Sequence, residues 1–354
     1  MNLRGISDGA GEWLRGSGPH SDVVISSRVR LARNLAGFPF VNCANRRQRF
    51  EVLEAAREQA LSKRLADNTI WVDLADSPAI DRQLLVERHL ISRDLAKRTP
   101  DMPRGVAIAA DETFSVMINE EDHLRIQVLR SGMQLADALA HIDRIDDTLQ
   151  QNLDFAFSRR FGYLTACPTN VGTGIRVSVM MHLPALKLTG EIERVKRAAR
   201  DMHLAVRGLF GEGSESLGDL FQVSNQSTLG RTEKEILEDF ERTIIPQMIS
   251  YEHQARQALI RQREKQLDDK IWRAWALLTN SRVMGTDEAL GLLSHLRLGV
   301  HLDRINTTNI RMVNELFLLC QPAHLQRVMS QEMTPAARRI ARADLLRQRL
   351  SARG

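Results

Sequence analysis

The alternation of apolar and polar positions divides the chain into a mixed first part and a helical second part. Asp22-Val23-Val24-Ile25-Ser26 predicts a strand that runs on through Ser27-Arg28-Val29-Arg30-Leu31-Ala32-Arg33-Asn34. Over 46–65, Phe50, Leu53, Ala56, Ala60 and Leu61 fall at helical spacing, and a further helix is expected over 82–95. The period then changes to two. Gly105-Val106-Ala107-Ile108-Ala109, Phe114-Ser115-Val116-Met117-Ile118 and His123-Leu124-Arg125-Ile126-Gln127-Val128-Leu129 read as strands, the last two parted by the polar corner Asn119-Glu120-Glu121-Asp122. A helix over 133–149 follows, then a loop at 168–174, a buried strand over 176–183 ended by Pro184, and a helix over 191–209. The glycine-rich stretch 208–218 reads as a mobile loop, and 220–224 returns to the sheet.

From about residue 232 the spacing is almost wholly helical, with helices expected over 232–265, 268–279, 286–297, 308–319 and 334–349. The expected fold is therefore α+β: a largely antiparallel sheet flanked by helices over 21–250, then an all-helical region over 251–354, with an N-terminal arm over 1–20.

Composition narrows the class. The chain has 354 residues, 43% hydrophobic and 26% charged, which suits a globular protein with a sizeable core. It contains no unbroken apolar run of the roughly 18 residues a membrane span needs, and its N-terminus shows no apolar secretion segment. Cys43, Cys167 and Cys320 have neither metal-site spacing nor the look of a disulfide framework, so a reducing cytoplasm is expected. The net charge of +5, from 49 Lys and Arg against 44 Asp and Glu, is too mild to imply nucleic acid, and neither tyrosine lies in a basic run.

The candidate chemistry is carried by arginines. Arg28 and Arg30 share one face of a strand, Arg125 sits inside an otherwise apolar strand, Arg176 opens a core strand after Gly172-Thr173-Gly174, and Arg207 precedes the glycine-rich stretch. A guanidinium withdrawn from water needs an anionic partner. Five such groups can neutralise a polyphosphate. No Walker loop is present, and the strand lysine, His-Arg-Asp and Asp-Phe-Gly elements of the common protein kinases are missing.

Four ordered segments carry a resemblance: Ser26-Ser27-Arg28-Val29-Arg30-Leu31-Ala32-Arg33, Asn119-Glu120-Glu121-Asp122-His123-Leu124-Arg125, Cys167-Pro168-Thr169-Asn170-Val171-Gly172-Thr173-Gly174-Ile175-Arg176, and Val223-Ser224-Asn225-Gln226-Ser227-Thr228-Leu229-Gly230. They resemble the signature segments of the phosphagen kinases, the ATP:guanido phosphotransferases, from about residue 20 to about 245. Within that family the chain is more similar to the bacterial protein arginine kinases. It begins almost directly at the catalytic core and continues into a helical extension, the reverse of the small-guanidine kinases.

The resemblance implies transfer of the ATP γ-phosphate to the guanidinium of arginine residues in proteins, in stress response and quality control. It implies Glu121 as general base, Glu212 as a second guanidinium-facing carboxylate and Cys167 beside the guanidinium. It assigns Arg28, Arg30, Arg125, Arg176 and Arg207 to the phosphates of ATP, with Mg²⁺ held by phosphate oxygens and water rather than by protein. A homodimer, a small zinc-binding activator and a Clp-type unfoldase are the implied partners. A kinase for free arginine or another small guanidino compound, and an inactive arginine-rich scaffold, are the competing readings. Arg33 reads as an anchor for its loop, and Met180 stands where many small-guanidine kinases have histidine. In the helical region, Arg338-Arg339-Ile340-Ala341-Arg342-Ala343 departs from the family's Arg-Asp-x-x-Arg-Ala phosphoarginine pocket, Arg339 replacing the aspartate. Phosphoarginine binding there is therefore expected to be weakened or rebuilt.

Overall fold

The computed structural model describes residues 11–61, 65–66, 68–97, 102–209 and 217–351. In chain order, β1 (Val24–Arg33) leads to α1 (Arg46–Ala60), β2 (Thr69–Asp73), α2 (Ala79–Glu87) and α3 (Arg93–Ala96). Next come β3 (Gly105–Ala109), β4 (Phe114–Ile118), β5 (Leu124–Ser131) and α4 (Leu135–Gln150). A short hairpin, β6 (Phe157–Ser158) and β7 (Gly162–Tyr163), precedes β8 (Ile175–His182), α5 (Pro184–Leu188), α6 (Ile192–Asp201), β9 (Leu204–Arg207) and β10 (Leu220–Asn225). The rest is helical: α7 (Glu233–Asp239), α8 (Ile245–Asn280), α9 (Thr286–His301), α10 (Ile310–Leu319), α11 (Pro322–Val328) and α12 (Pro335–Ser351).

Eight strands form one sheet in the order β2-β3-β4-β5-β1-β8-β10-β9, each neighbouring pair antiparallel. The two faces of its centre differ in chemistry because alternate residues point to opposite sides. Val29, Leu31, Ile126, Val128, Val177, Val179 and Val223 supply buried apolar positions, and α4 packs against β1 and β5. The paired positions Arg28 and Ser178, Arg30 and Arg176, and Arg30 and Gln127 put polar groups on the other face.

Several elements differ from the sequence-based expectation. The helix expected over 82–95 is two helices, interrupted where His89 takes a left-handed backbone at φ 59°. The helix expected over 191–209 ends at Asp201, His203 turns at φ 55°, and Leu204–Arg207 pairs with β10 as an edge strand. The expected break near 265 is a distortion at Arg263 (φ −141°) within α8. Residues 12–14 form a short helical turn with Trp13 and Leu14 buried, while residues 1–10 of the expected arm lie outside the described residues.

Candidate active site

Strand alternation and register together assemble the site. Arg28 and Arg30 project from β1, Arg176 lies opposite Arg30 on β8, Arg125 lies opposite Ala32 on β5, and Arg207 lies opposite Gln222 at the sheet edge. All five arginines line one cavity of about 740 Å³. Arg28 is oriented by neighbours on its own face, donating from Nη2 to Gln222 Oε1 at 2.8 Å and from Nε to Ser178 Oγ at 3.2 Å. Arg176 donates to Ser224 Oγ at 3.0 Å. Arg30 is only 8% exposed, and its Nε is buried with no hydrogen-bond partner among the described residues.

Burial, and then Arg125 and Arg176, push the Arg28 guanidinium down to about 9. Burial together with Arg28, Arg125 and Arg176 pushes Arg30 well below its ordinary value. Crowded, desolvated cations of this kind are stabilised by an anion entering the cavity. A polyphosphate therefore fits the donor set.

The acidic turn divides its three carboxylates among separate roles. Asn119 takes a left-handed backbone at φ 57° and donates its side-chain amide to the carbonyls of Arg49 (2.8 Å) and Pro103 (2.9 Å). Glu120 is the ion-pair partner of Arg125 at 2.7 Å and accepts from Ser92 Oγ at 2.6 Å. Burial would raise its carboxyl, but Arg125 and Ser92 outweigh that and hold it at about 2. In return, Glu120 overcomes the burial of Arg125 and keeps that guanidinium above its ordinary value. Asp122 accepts from Asn34 Nδ2 at 2.6 Å and from the Ala166 amide at 2.7 Å, tying the turn to the loop before Cys167.

Glu121 is left exposed on the cavity, with no hydrogen bond to its carboxylate among the described residues. Burial first, then Asp122 and Glu120, raise its carboxyl above the ordinary value. That suits a group meant to take up a proton. A smaller chamber of about 60 Å³ adjoins it, bounded by Asn170 and Gly174 on one side and by Glu121, Arg125 and Arg176 on the other.

Cys167 lines neither cavity. Its Sγ lies 3.0 Å from Thr169 Oγ1, within the loop that walls the small chamber. Glu212 lies outside the described residues. Arg33 does not enter the cavity. It pairs with Asp146 at 2.7 Å, donates to the Thr173 carbonyl at 2.9 Å and stacks 3.6 Å above the Tyr163 ring, so it holds the Gly172–Gly174 loop. His123 is structural, accepting from the Leu35 amide at Nδ1 (3.0 Å) and lying 2.9 Å from the Pro39 carbonyl at Nε2. Met180 and His182 are buried.

Sequence reading missed a wall of the cavity. His89, Ser92, Arg93, Asp94 and Lys97 line it from the α2–α3 segment, and a continuous helix over 82–95 gave no sign that they turn inward. Ser178 and Gln222 were accessible to the same alternation that singled out Arg28.

Comparison with known proteins places the chain in a family. Residues 51–255 match the family "ATP:guanido phosphotransferase, C-terminal catalytic domain", and residues 264–353 match "Protein-arginine kinase McsB C-terminal domain". The protein-arginine kinase of Symbiobacterium thermophilum is 46% identical over 350 residues, covering 98% of each chain. That of Halothermothrix orenii is 44% identical over 346 residues, again covering 98% of each. Among solved structures, the duplicated taurocyamine kinase of Schistosoma mansoni with bound transition-state-analogue components superposes with a TM-score of 0.59 at 26% identity. The match covers 66% of this chain and about a third (34%) of that duplicated chain. A lombricine kinase gives 0.56 at 25% identity, covering 73% and 71%.

Proposed function

Since the chain belongs to the ATP:guanido phosphotransferase family, and within it to the protein-arginine kinases, we propose that the cavity holds the phosphates of ATP and that Glu121 receives the arginine of a protein substrate. The enzyme is an ATP-dependent phosphotransferase that phosphorylates arginine side chains in proteins. The observation that carries the site assignment is the convergence of Arg28, Arg30, Arg125, Arg176 and Arg207 on one cavity whose edge bears Glu121, its carboxylate unpaired among the described residues.

Magnesium-bound ATP supplies the phosphoryl group with part of its charge already neutralised. Arg30, with its unpartnered Nε, and Arg28, held by Gln222 and Ser178, bind and orient phosphate oxygens. Arg125 is fixed by Glu120, so it enters the site pre-oriented. A guanidinium has a pKa above about 12 and no free lone pair, so it must lose a proton to attack. Glu121 is placed to hold that cation in the small chamber and accept the proton. The resemblance adds Glu212 as a second carboxylate on the guanidinium and Cys167 as an orienting thiol. It further suggests a homodimer, a small zinc-binding activator, a Clp-type unfoldase and a stress-response role in the cytoplasm.

The test supplies ATP and Mg²⁺ with an unstructured protein such as casein and, in parallel, with free arginine, read by mass spectrometry under neutral conditions. Acid-labile phosphate on protein arginines is expected, and Glu121→Gln should abolish it while ATP still binds. Efficient labelling of free arginine alone would overturn the protein-substrate reading. Undiminished transfer by Glu121→Gln would overturn the assignment of the base.

A further inference from the structure

An exposed apolar patch lies beside the acceptor chamber and is unused by the phosphate chemistry. Phe157 is 59% exposed, Phe161 44% and Leu229 58%. Phe157 and Phe161 belong to the β6–β7 hairpin and Leu229 to a separate segment, and the two are linked through close backbone contacts at Gly172. Phe157 pairs with Tyr163 across the β6–β7 hairpin, their rings 5.3 Å apart, and Tyr163 bridges in turn to Gly172. Gly162, at φ 76°, packs so closely on Gly172 that an added Cβ would come within 2.4 Å of the Gly172 carbonyl oxygen. Gly172 abuts the backbone of Leu229 in the same way, and Thr228 Oγ1 donates to the carbonyls of Thr169 (3.3 Å) and Val171 (2.8 Å).

The patch is therefore built onto the outer side of the 169–174 loop, whose Asn170 and Gly174 form the wall of the chamber next to Glu121. Arg160 stacks 5.0 Å from the Phe161 ring, and Arg159 beside it is exposed, so the apolar surface has a cationic edge. A small guanidine in the chamber would leave these side chains in water. A protein substrate cannot, because the chain on either side of its target arginine must cross the surface around that chamber.

We infer that Phe157, Phe161 and Leu229 form the docking surface for the polypeptide flanking the target arginine, favouring an extended segment with an apolar residue near that arginine and acidic rather than basic neighbours. This rests on the protein-substrate reading above. Exposed apolar residues grouped on a folded protein mark contact surfaces. Continuity with the chamber wall and the arginine edge select an unfolded substrate segment as the occupant. Such segments present the apolar side chains that folded proteins bury. The patch thus favours unfolded chains through the apolar side chains they expose near the arginine.

The test compares two peptides of equal length and charge, one with the target arginine flanked by Leu and Phe and the other by Gly and Ser, using the full chain. The wild type should favour the apolar-flanked peptide in kcat/KM by about ten-fold, mostly through KM, as expected for burying part of one or two large side chains. In the triple variant Phe157→Ser, Phe161→Ser, Leu229→Ser that preference should fall towards one. If the triple variant loses ATP binding through misfolding, the single exchanges Phe157→Ser and Leu229→Ser are compared instead. Equal use of both peptides by the wild type would overturn the proposal, as would a preference unchanged in the variants. Dissociation of a wild-type oligomer by the same substitutions, with the preference intact, would assign the patch to self-association and likewise overturn it. Failure of the wild type to label any peptide arginine would remove the underlying protein-kinase reading instead.

Discussion

Three consecutive carboxylates have been given three fates by the backbone between Asn119 and Leu124. Glu120 is committed to Arg125, Asp122 ties down the loop before Cys167, and Glu121 keeps at the cavity a carboxylate with no hydrogen bond among the described residues. Because Glu121 is raised by burial and by Asp122 and Glu120, it is protonated at a higher pH than an ordinary glutamate. A base must be ionised, so activity should fall on acidification in a range shifted above 4.5. Asp122→Asn removes one repelling charge and keeps a group able to accept from Asn34 or Ala166. It should move the acid limb of the kcat profile to lower pH, and an unmoved limb would show that another group sets it. Arg30 makes the complementary case on the phosphate side. Replacing it with methionine removes a buried cation whose Nε has no hydrogen-bond partner among the described residues and should raise the KM for ATP by about 10- to 100-fold, the worth of a charged hydrogen bond. Steady-state kinetics at saturating peptide would measure it.

At the level of elements, alternation within β1, β5 and β8 was enough to place four of the five phosphate-side arginines, because a strand fixes the direction of every second side chain. The acidic turn was less legible. The sequence does not say which of the three carboxylates Arg125 takes; after the left-handed Asn119, it is Glu120 that pairs with it. β9 was read as helix because no proline or glycine interrupts the chain from Glu191 to Arg207. His203 breaks that run, and pairing with β10 decides the conformation of 204–207. The α2–α3 wall was hidden for a related reason: the contact that shapes it comes from far along the chain. Glu87 accepts from the Ala323 amide (2.9 Å), the His324 amide (3.0 Å) and His324 Nδ1 (2.7 Å), while Arg88 pairs with Glu112 at 2.6 Å. Asp81 also pairs with Arg327, so α11 holds the segment that turns His89 and Ser92 into the cavity. Glu87→Ala leaves three buried donors unpaired and should cost about 3–5 kcal/mol in urea unfolding, with a raised KM for ATP. Glu87→Gln keeps an accepting oxygen and should recover much of both. Normal ATP kinetics in a destabilised Glu87→Ala would confine Glu87 to stability and separate α11 from the site.

The whole molecule is unified by an apolar core that includes both Trp13 and Leu350, and by a buried polar chain where α9 meets the sheet. Arg297, 1% exposed, donates to His182 Nδ1 at 2.9 Å, to Asn314 Oδ1 at 3.2 Å and to the Asp22 carbonyl at 3.0 Å. A guanidinium only donates, so Nδ1 of His182 accepts and its proton sits on Nε2. That Nε2–H donates to Ser294 Oγ at 2.8 Å, and the serine hydroxyl donates to Asp219 Oδ2 at 2.6 Å. Protonating Nδ1 would set one N–H against another. Burial first, and then Arg297, accordingly hold the His182 ring neutral, with its affinity for a proton well below the ordinary 6.5. His89 is held neutral in the same way, at about 3, by burial and then Arg28 and Arg93. The unfolded chain takes up both protons near 6.5 while the folded chain refuses them, so this stability is full above that pH and is lost as pH falls below it. At pH 5 His89 alone accounts for about 2 kcal/mol, and His182 and His301, the latter held at about 3 chiefly by burial, act in the same direction. Glu233, raised to about 6 chiefly by burial, acts in the opposite sense through a smaller shift. Thermal unfolding at constant ionic strength should therefore show a melting temperature that drops steadily from pH 7 to pH 5. His182→Gln should start lower at pH 8, having lost the ring's packing, but decline less steeply than the parent because one of the rings held neutral by burial is gone. A wild-type melting temperature that stays flat over this range, or a variant with the parent slope, would mean that the His182–Arg297 contact does not hold the helical region on the sheet in the neutral-ring form.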